Sequence, residues 1–309
     1  MDKTTLKRLL IGDFTWVRLL RSVLLIYGFF AAYVFFRADH MIFLPPTASY
    51  GESDEVLRIP VTKEAAIAAL HLPNEDARYT VLFIHGNPED LGDIRPFLET
   101  LHQWGFSVFA YDYRGYGLSD GRPSERNAYQ DVEAAYHYLT TQLQVSPDTV
   151  LVYGRSVGGG SATYLAARHP VGGVILESTF TSVFRVVVPF PLLPFDKFPN
   201  RRRMDEIAVP VLVMHGQADQ TIPISHGQRL YEAAAAPKLS LWIPEADHND
   251  FAAVAGDRLH IALLEFQDQV TANGRSQQQY EVLLITRNND ANSVKVPGIP
   301  FMVKQPDLI

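Results

Sequence analysis

The chain contains no cysteine in 309 residues. That absence excludes disulfides, thiolate metal sites, a cysteine nucleophile and S-acylation of the chain itself. It does not fix a compartment, because a cysteine-free chain survives in either redox environment. Net charge is small: 27 Lys and Arg stand against 34 Asp and Glu, giving −7. With no long basic patch to neutralise phosphates, nucleic-acid binding is not expected. Internal repeats are also missing. Hydrophobic residues make up 47% of the chain, enough for a substantial core in one large or two ordinary domains.

Long hydrophobic runs are scarce too, apart from one near the amino end. "WVRLLRSVLLIYGFFAAYVFF", residues 16–36, is interrupted only by Arg18, Arg21 and Ser22. Its uncharged part, 22–36, falls short of the roughly 20 residues a spanning helix needs. Arg18 and Arg21 can snorkel to the interface and extend the apolar length back to Trp16. A single-pass anchor, a signal peptide and a buried or interfacial helix compete. "FFRADHMIF" offers no good A-x-A-like cleavage site, so residues 1–40 are read as a membrane anchor. Lys3, Lys7, Arg8, Arg18 and Arg21 precede the run and Arg37 follows it. The positive-inside rule then places the N-terminus in the cytoplasm and the rest of the chain on the non-cytoplasmic side.

"FLPPTASYGE" reads as a connector, followed by two short strands over 56–62 and 66–72. From Tyr79 onward, apolar runs such as "TVLFIHG", "FSVFAYDYRG", "TVLVYGRS", "VGGVILES", "VPVLVMHG" and "KLSLWIP" alternate with helical stretches. The runs suit strands buried on both faces of a parallel sheet. Helices are expected over 94–103, 124–142, 158–168, 225–236 and 248–269. The alternation predicts an α/β fold, a mostly parallel central sheet with helices on both faces. It occupies a main domain of 41–270. A proline- and phenylalanine-rich stretch, 179–207, reads as a short cap. Residues 271–309 form a tail of unassigned role, containing the strand-like "YEVLLITR".

The chemistry centres on "VLVYGRSVGGGSATYLAARH", residues 150–169. Ser156 lies between Gly154 and Gly158, after a strand and before a helix. A nucleophile on a sharp strand-to-helix turn needs neighbours without bulk, which is the mechanical content of G-x-S-x-G. A serine hydroxyl also needs a histidine base and an orienting carboxylate, in the chain order serine, acid, histidine. "VPVLVMHGQADQTIP" puts Asp219 in a turn after a strand, and "LSLWIPEADHND" puts His248 after the next one, both where α/β sheets gather functional groups. Asp247 and Asp250 are rival acids, better read as solvating or capping the following helix. His215 and His226 are rival histidines, better read as structural. Backbone N–H groups for an oxyanion are assigned to Val157 and, in "LFIHGNPED", to Asn87. His85 is read as structural. Asp112 and Arg114 are read as a network rigidifying a turn, and Arg201, Arg202 and Arg203 as a solvated face.

Together "HGNPED", "YDYRGYGLSDGRPSE", "YGRSVGG", "HGQADQTIP" and "ADHND" resemble the α/β-hydrolase superfamily. More narrowly they are similar to its membrane-associated branch, which includes eukaryotic protein depalmitoylases and bacterial relatives. "FDKFPN" and "ISHGQRLYEA" share that similarity, which covers roughly residues 43–269. The resemblance implies an α/β-hydrolase fold, a triad of Ser156, Asp219 and His248, an oxyanion site at Asn87 and Val157, and hydrolysis of an ester, thioester or amide. The animal depalmitoylases attach through a cysteine-rich, lipidated N-terminus, which is replaced here by a hydrophobic run, so substrate does not transfer with the fold.

The expectation is a membrane-anchored serine hydrolase acting on acyl esters or thioesters, with no metal or other cofactor. Its partners would be a small-molecule or acylated substrate and membrane lipid. An aminopeptidase- or amidase-like activity is the alternative within enzymes, and a non-catalytic membrane-tethered scaffold the alternative outside them. Phe180, Phe184, Phe190 and Phe195 of the cap are expected either to shape an acyl pocket or to serve as core.

Overall fold

The computed structural model describes residues 15–291, with side chains described as far as residue 276. Lys3, Lys7 and Arg8, and the end of the tail from residue 292, lie outside the described residues. Eight strands form one sheet: β1 (Val56–Pro60), β2 (Ala66–Leu72), β3 (Thr80–Ile84), β4 (Ser107–Tyr111), β5 (Val150–Arg155), β6 (Gly173–Glu177), β7 (Val211–Gly216) and β8 (Lys238–Ile243). Their spatial order is β1–β2–β4–β3–β5–β6–β7–β8. The pairs β1–β2 and β2–β4 are antiparallel and all others parallel. Strand order reverses at β3, which sits between β4 and β5, so the crevice at the carboxyl ends of β3 and β5 is the switch point where such sheets bind ligands.

The near-continuous apolar runs are explained by burial on both faces. Leu82, Ile84, Val150 and Val152 face one core with Val132 and Ala135 of α3 (Glu125–His137) and Leu165 of α4 (Gly158–Ala166). Their strand neighbours Val81, Phe83, Leu151 and Tyr153 face a second core with Ile94 and Leu98 of α2 (Leu91–Gln103). The cap contains two short helices, α5 (Val183–Val187) and α6 (Asn200–Arg203). Beyond it α7 spans Ser225–Ala233.

The helix expected over 248–269 is two helices, α8 (Phe251–Ala255) and α9 (Asp257–Ala291). Gly256 separates them at φ 52°, a conformation that glycine adopts without steric cost. The segment read as strand-like lies inside α9. A short apolar run does not distinguish strand from helix by itself, and here it continues a helix already under way. The break expected at residue 270 is therefore absent from the backbone.

The amino-terminal helix, α1, spans Trp16–Ile42. At 27 residues it is about 40 Å long, against a hydrocarbon core of about 30 Å. It is long and apolar enough to cross a membrane by length and composition, and its most apolar window is not buried in the protein. From Tyr27 onward it docks on the cap. The Tyr27 hydroxyl donates to the Leu192 carbonyl at 2.8 Å, the Phe35 and Phe195 rings meet edge-on at 5.3 Å, and Lys197 Nζ lies 3.1 Å from Asp39 Oδ1.

The helix ends two residues beyond the expected boundary, and Phe43 is core: it is buried and packs edge-on against Tyr113, Tyr116 and Phe198. The connector is also fastened, through the Ser49 amide to Asp90 Oδ2 at 2.7 Å and the Tyr50 hydroxyl to Asp112.

Arg114 and Asp131 form an ion pair inside the fold, Nε to Oδ1 at 2.6 Å, with the Arg114 amide donating to Oδ2 at 2.9 Å. Both residues are buried. Truncating one member of such a pair strands the other charge, so Asp131→Ala should cost about 3–5 kcal/mol. Equilibrium denaturation of the full chain in detergent measures this; a loss below about 1 kcal/mol would mean that Arg114 finds other partners at little cost.

Candidate active site

The elbow between β5 and α4 carries Ser156. Ser156 has φ 51°, a left-handed conformation that costs a non-glycine residue of order 1–3 kcal/mol and persists only where its surroundings enforce it. They do so through β5 on one side and α4 on the other. A Cβ on Gly154 would stand 2.6 Å from the Gly158 carbonyl oxygen, and one on Gly158 would stand 2.1 Å from the Ile84 carbonyl oxygen. Neither distance admits a side chain, so both glycines are needed for the helix to turn back against the strand ends. The Ser156 carbonyl accepts from Thr179 Oγ1 at 2.6 Å, which fixes the turn from the β6 side.

Three residues far apart in the chain meet at this point. Ser156 Oγ lies 3.0 Å from His248 Nε2, and His248 Nδ1 lies 2.8 Å from Asp219 Oδ2. All three are buried. A carboxylate beside Nδ1 keeps the proton on that nitrogen, leaving the lone pair of Nε2 toward the serine hydroxyl. Asp219 is held in place by the amides of Thr221 and Ile222, which donate to Oδ1 at 2.9 and 2.7 Å. Burial pushes the Asp219 carboxyl up, but hydrogen bonds from His215, His248 and the Ile222 amide outweigh it and hold the group well below the usual carboxylate range.

The loop after β3 closes the other side. Gly86 lies against the elbow, where a Cβ built on it would stand 3.4 Å from Ser156 Cβ. Asn87 follows it. Among the described residues no group accepts a hydrogen bond from the backbone N–H of Asn87 or Val157. The Asn87 side chain is occupied instead: Nδ2 donates to the Ile42 carbonyl at 2.5 Å, and Oδ1 accepts from the Leu44 amide at 3.0 Å and from Tyr116. The last turn of α1 is thereby fastened to this loop.

Reading from sequence overlooked a charged network beneath the site. Arg155, between Gly154 and Ser156, bonds to Glu89 and lies 3.3 Å from Glu177 Oε1. Glu89 also accepts from the Gly86 amide at 3.1 Å, and Glu177 from the Tyr153 hydroxyl. The network ties the β3 loop to the elbow. Burial raises the Glu177 carboxyl above its ordinary value, with Arg155 and Tyr153 pulling against it. Its only trace in the sequence is charge at the ends of otherwise apolar runs.

The rival residues fall elsewhere. Asp247 Oδ1 accepts from the Gln220 and His248 amides at 2.9 and 2.8 Å, and Asp250 Oδ1 from the Asp247 amide at 2.7 Å, so both carboxylates organise the turn that carries His248. His226 Nδ1 accepts from the Thr181 amide at 3.2 Å. His215 stands closer to the site than expected: its Nε2 lies 2.7 Å from the Ile222 carbonyl and 3.3 Å from Asp219 Oδ2. Facing two acceptors, that nitrogen carries the proton, and Asp219 receives a second imidazole donor.

His85 is buried with Nδ1 2.8 Å from the Gly86 carbonyl and Nε2 3.3 Å from Asp112. Burial pushes its imidazole down, but Asp112, the Gly86 carbonyl and Glu89 together raise it. The Arg201–Arg203 run divides: Arg201 and Arg202 are exposed, whereas Arg203 is buried, donates to the Gly160 carbonyl at 3.0 Å and lies over the Tyr129 ring. Among the described residues no group of three or more His, Asp or Glu is arranged to hold a metal ion.

Residues 75–195 match a family described as serine aminopeptidase, S33. The chain is 43% identical over 178 residues to human alpha/beta hydrolase domain-containing protein 17B, covering 57% of this chain and 62% of that protein. It is 42% identical over 177 residues to the 17C protein of Xenopus tropicalis, covering 56% of this chain and 57% of that one. It thus spans less than two thirds of the length of these relatives. An esterase of Pyrococcus furiosus superposes with a TM-score of 0.62 at 19% identity, over 73% of this chain and 99% of its own. Est1E from Butyrivibrio proteoclasticus gives 0.59 at 19% identity, over 70% and 99%; likeness at that identity speaks to fold.

The chain has the α/β-hydrolase fold.

The four cap phenylalanines fall into two environments. Phe180 is core, buried beside Phe198 with ring centroids 6.4 Å apart. Phe184, Phe190 and Phe195 instead line a groove between the cap and α1.

Proposed function

We propose that this α/β-hydrolase is a membrane-tethered serine hydrolase that cleaves carboxylic esters or thioesters of acyl groups. The observation that carries the reading is the unbroken chain of contacts from Ser156 Oγ through His248 to Asp219 on a strained elbow. In this reading Ser156 Oγ attacks the substrate carbonyl carbon as its proton passes to His248 Nε2. The resulting imidazolium is stabilised by Asp219 across Nδ1. The carbonyl oxygen, now negative, accepts from the free amides of Asn87 and Val157. Collapse expels the alcohol or thiol, which leaves with the proton from His248, and an acyl-Ser156 ester remains. Water then attacks that ester with His248 again as base, releasing the acid and restoring the hydroxyl.

A peptidase reading has one observation in its favour, the aminopeptidase description of the matching family. It predicts cleavage of amino-acid amides at rates comparable with p-nitrophenyl esters. The tether rests on α1, and its orientation on Arg18 and Arg21 preceding the apolar stretch. Protease added to the cytoplasmic face of vesicles should leave the hydrolase domain intact; digestion would reverse the orientation.

The decisive experiment is covalent labelling of the full chain with a fluorophosphonate. Labelling is expected in the native protein and absent in Ser156→Ala. No labelling of the native protein would favour a scaffold without catalysis.

A further inference from the structure

A second cavity, of about 610 Å³, lies between the cap and α7 and falls within the range of small-molecule sites. Its lining is dominated by charge. Arg185 of α5, Arg201 and Arg202 of α6 and Arg229 of α7 stand against Asp196 and Asp205. Four positive charges against two negative ones leave a surplus of two.

The carboxylates do not neutralise that surplus. Asp196 is already in use: Oδ1 accepts from the Phe184 and Lys197 amides at 2.9 and 2.8 Å, and Oδ2 from the Ser182 hydroxyl at 2.8 Å, with Arg185 Nε at 3.7 Å. Among the described residues the guanidiniums of Arg201, Arg202 and Arg229 have no hydrogen bond or ion pair, and neither has the Asp205 carboxylate. Arg203, next in the same run, shows the contrast, since its guanidinium is spent on the Gly160 carbonyl and the Tyr129 hydroxyl. Like charges gathered on a concave wall raise the local potential and concentrate anions. The field is felt at His226, whose imidazole burial pushes down and Arg229 pushes further.

The anion that fits is defined by charge and shape. A guanidinium offers paired N–H donors that match the oxygens of a carboxylate or a phosphate. A lone carboxylate would cancel half of the surplus, whereas a phosphate monoester carries about −1.5 to −2 at neutral pH. The cavity is larger than one phosphate group and leaves room for the organic part of an ester. Pro189, Pro199 and Ala233 are its apolar lining, which offers little to a hydrocarbon tail.

We infer that this cavity binds a phosphate monoester, held by Arg201 and Arg202 from the cap and by Arg229 from α7. The bound group fastens the cap to the main domain. The cap helices have five and four residues, too few to be stable on their own, so the ligand steadies the cap. A soluble phosphate ester and the headgroup of a phosphatidic acid both present this chemistry. The site stands apart from Ser156 and does not rest on the serine hydrolase reading.

The test uses the full chain carrying Ser156→Ala, so that no ester probe is consumed, in dodecyl maltoside at low salt. Glycerol 3-phosphate is the soluble probe and dioctanoyl phosphatidic acid the lipid probe. Glycerol and dioctanoyl phosphatidylcholine are the controls. Calorimetric titration is expected to show one saturable site for a phosphate monoester, with a rise in Tm on binding. Kd should weaken about tenfold or more in Arg201→Gln/Arg202→Gln and in Arg229→Gln. Arg258→Gln, which removes an exposed arginine of α9, should change it by less than about twofold. Ligand-free Tm should move by less than about 2 °C in all these variants, since surface changes of this kind cost little.

Tighter binding of phosphatidic acid than of glycerol 3-phosphate would assign the site to a lipid headgroup, and equal or weaker binding to a soluble ester. No binding of either probe at about millimolar concentration would overturn the inference, as would binding that the three arginines do not affect or that phosphatidylcholine matches. Failure to bind by a protein whose native form is labelled at Ser156 by a fluorophosphonate would remove the phosphate site alone. Binding by a protein that is never labelled would remove the hydrolase reading alone.

Discussion

Replacing Ser156 by alanine is expected to lower kcat on an acyl ester by about 10⁶-fold. Adding His248→Ala to that variant should cost little more, because residues acting as one unit lose their effect together. The geometry makes this coupling necessary. Ser156 Oγ has His248 Nε2 at 3.0 Å, so once the hydroxyl is gone the imidazole has no proton to take. Residual hydrolysis above the background in water would measure what the Asn87 and Val157 amides contribute alone, about 10³- to 10⁴-fold in comparable sites. Single-turnover kinetics on the two single variants and the double variant read the cycle. Additive losses would mean that the two side chains serve different steps, and the mechanism would fall.

Asp219→Asn carries the second largest effect, about 10⁴-fold in kcat at neutral pH. An amide at that position presents a donor or a weaker acceptor to His248 Nδ1, so the proton can shift to Nε2, where it blocks the transfer from serine. Here the change strikes twice, because Asp219 also faces His215 Nε2 at 3.3 Å.

The same carboxylate makes a pH prediction whose sign follows from its depressed folded-state value. A carboxyl held below its unfolded value contributes stability at pH above about 4, and loses that contribution as acid titrates through the folded value. The stability difference between native protein and Asp219→Asn should therefore stay constant from neutral pH down to about 5 and shrink below about 4. Thermal unfolding of both proteins across that range checks it. A difference that instead shrinks near neutral pH would mean that Asp219 is not held ionised in the fold.

The elbow was legible because its constraint is local. Gly154 is dictated by the approach of Gly158 and Gly159 across the turn, and Gly158 by the Ile84 carbonyl of the next strand, yet both fall at a fixed spacing from Ser156 that is written directly in the sequence. The order of Asp219 and His248 behind successive strands was legible for a related reason, since parallel strands bring their carboxyl ends to one edge. What could not be read depends on contacts across the fold. Nothing around "VLVMHGQAD" distinguishes a structural His215 from one bonded to the acid, because the choice is made by the Ile222 carbonyl folding back onto its ring. The Glu89–Arg155–Glu177 network joins three strand ends, and none of the three residues is unusual in its own segment.

Phe180 and Phe195 look alike in sequence, yet one is core and the other lines the α1 groove, because cap residues are sorted by a helix distant in the chain. The helix through 280–287 was misread for the opposite reason: a locally strand-like pattern was overruled by the helix running into it.

The Asn87 side chain grips the backbone on either side of Phe43, and Phe43 is itself sunk in the core. A hinge needs slack, and this junction has none. The rim that carries Ser156 is thereby tied to the end of α1, and whatever orients that helix also orients the rim.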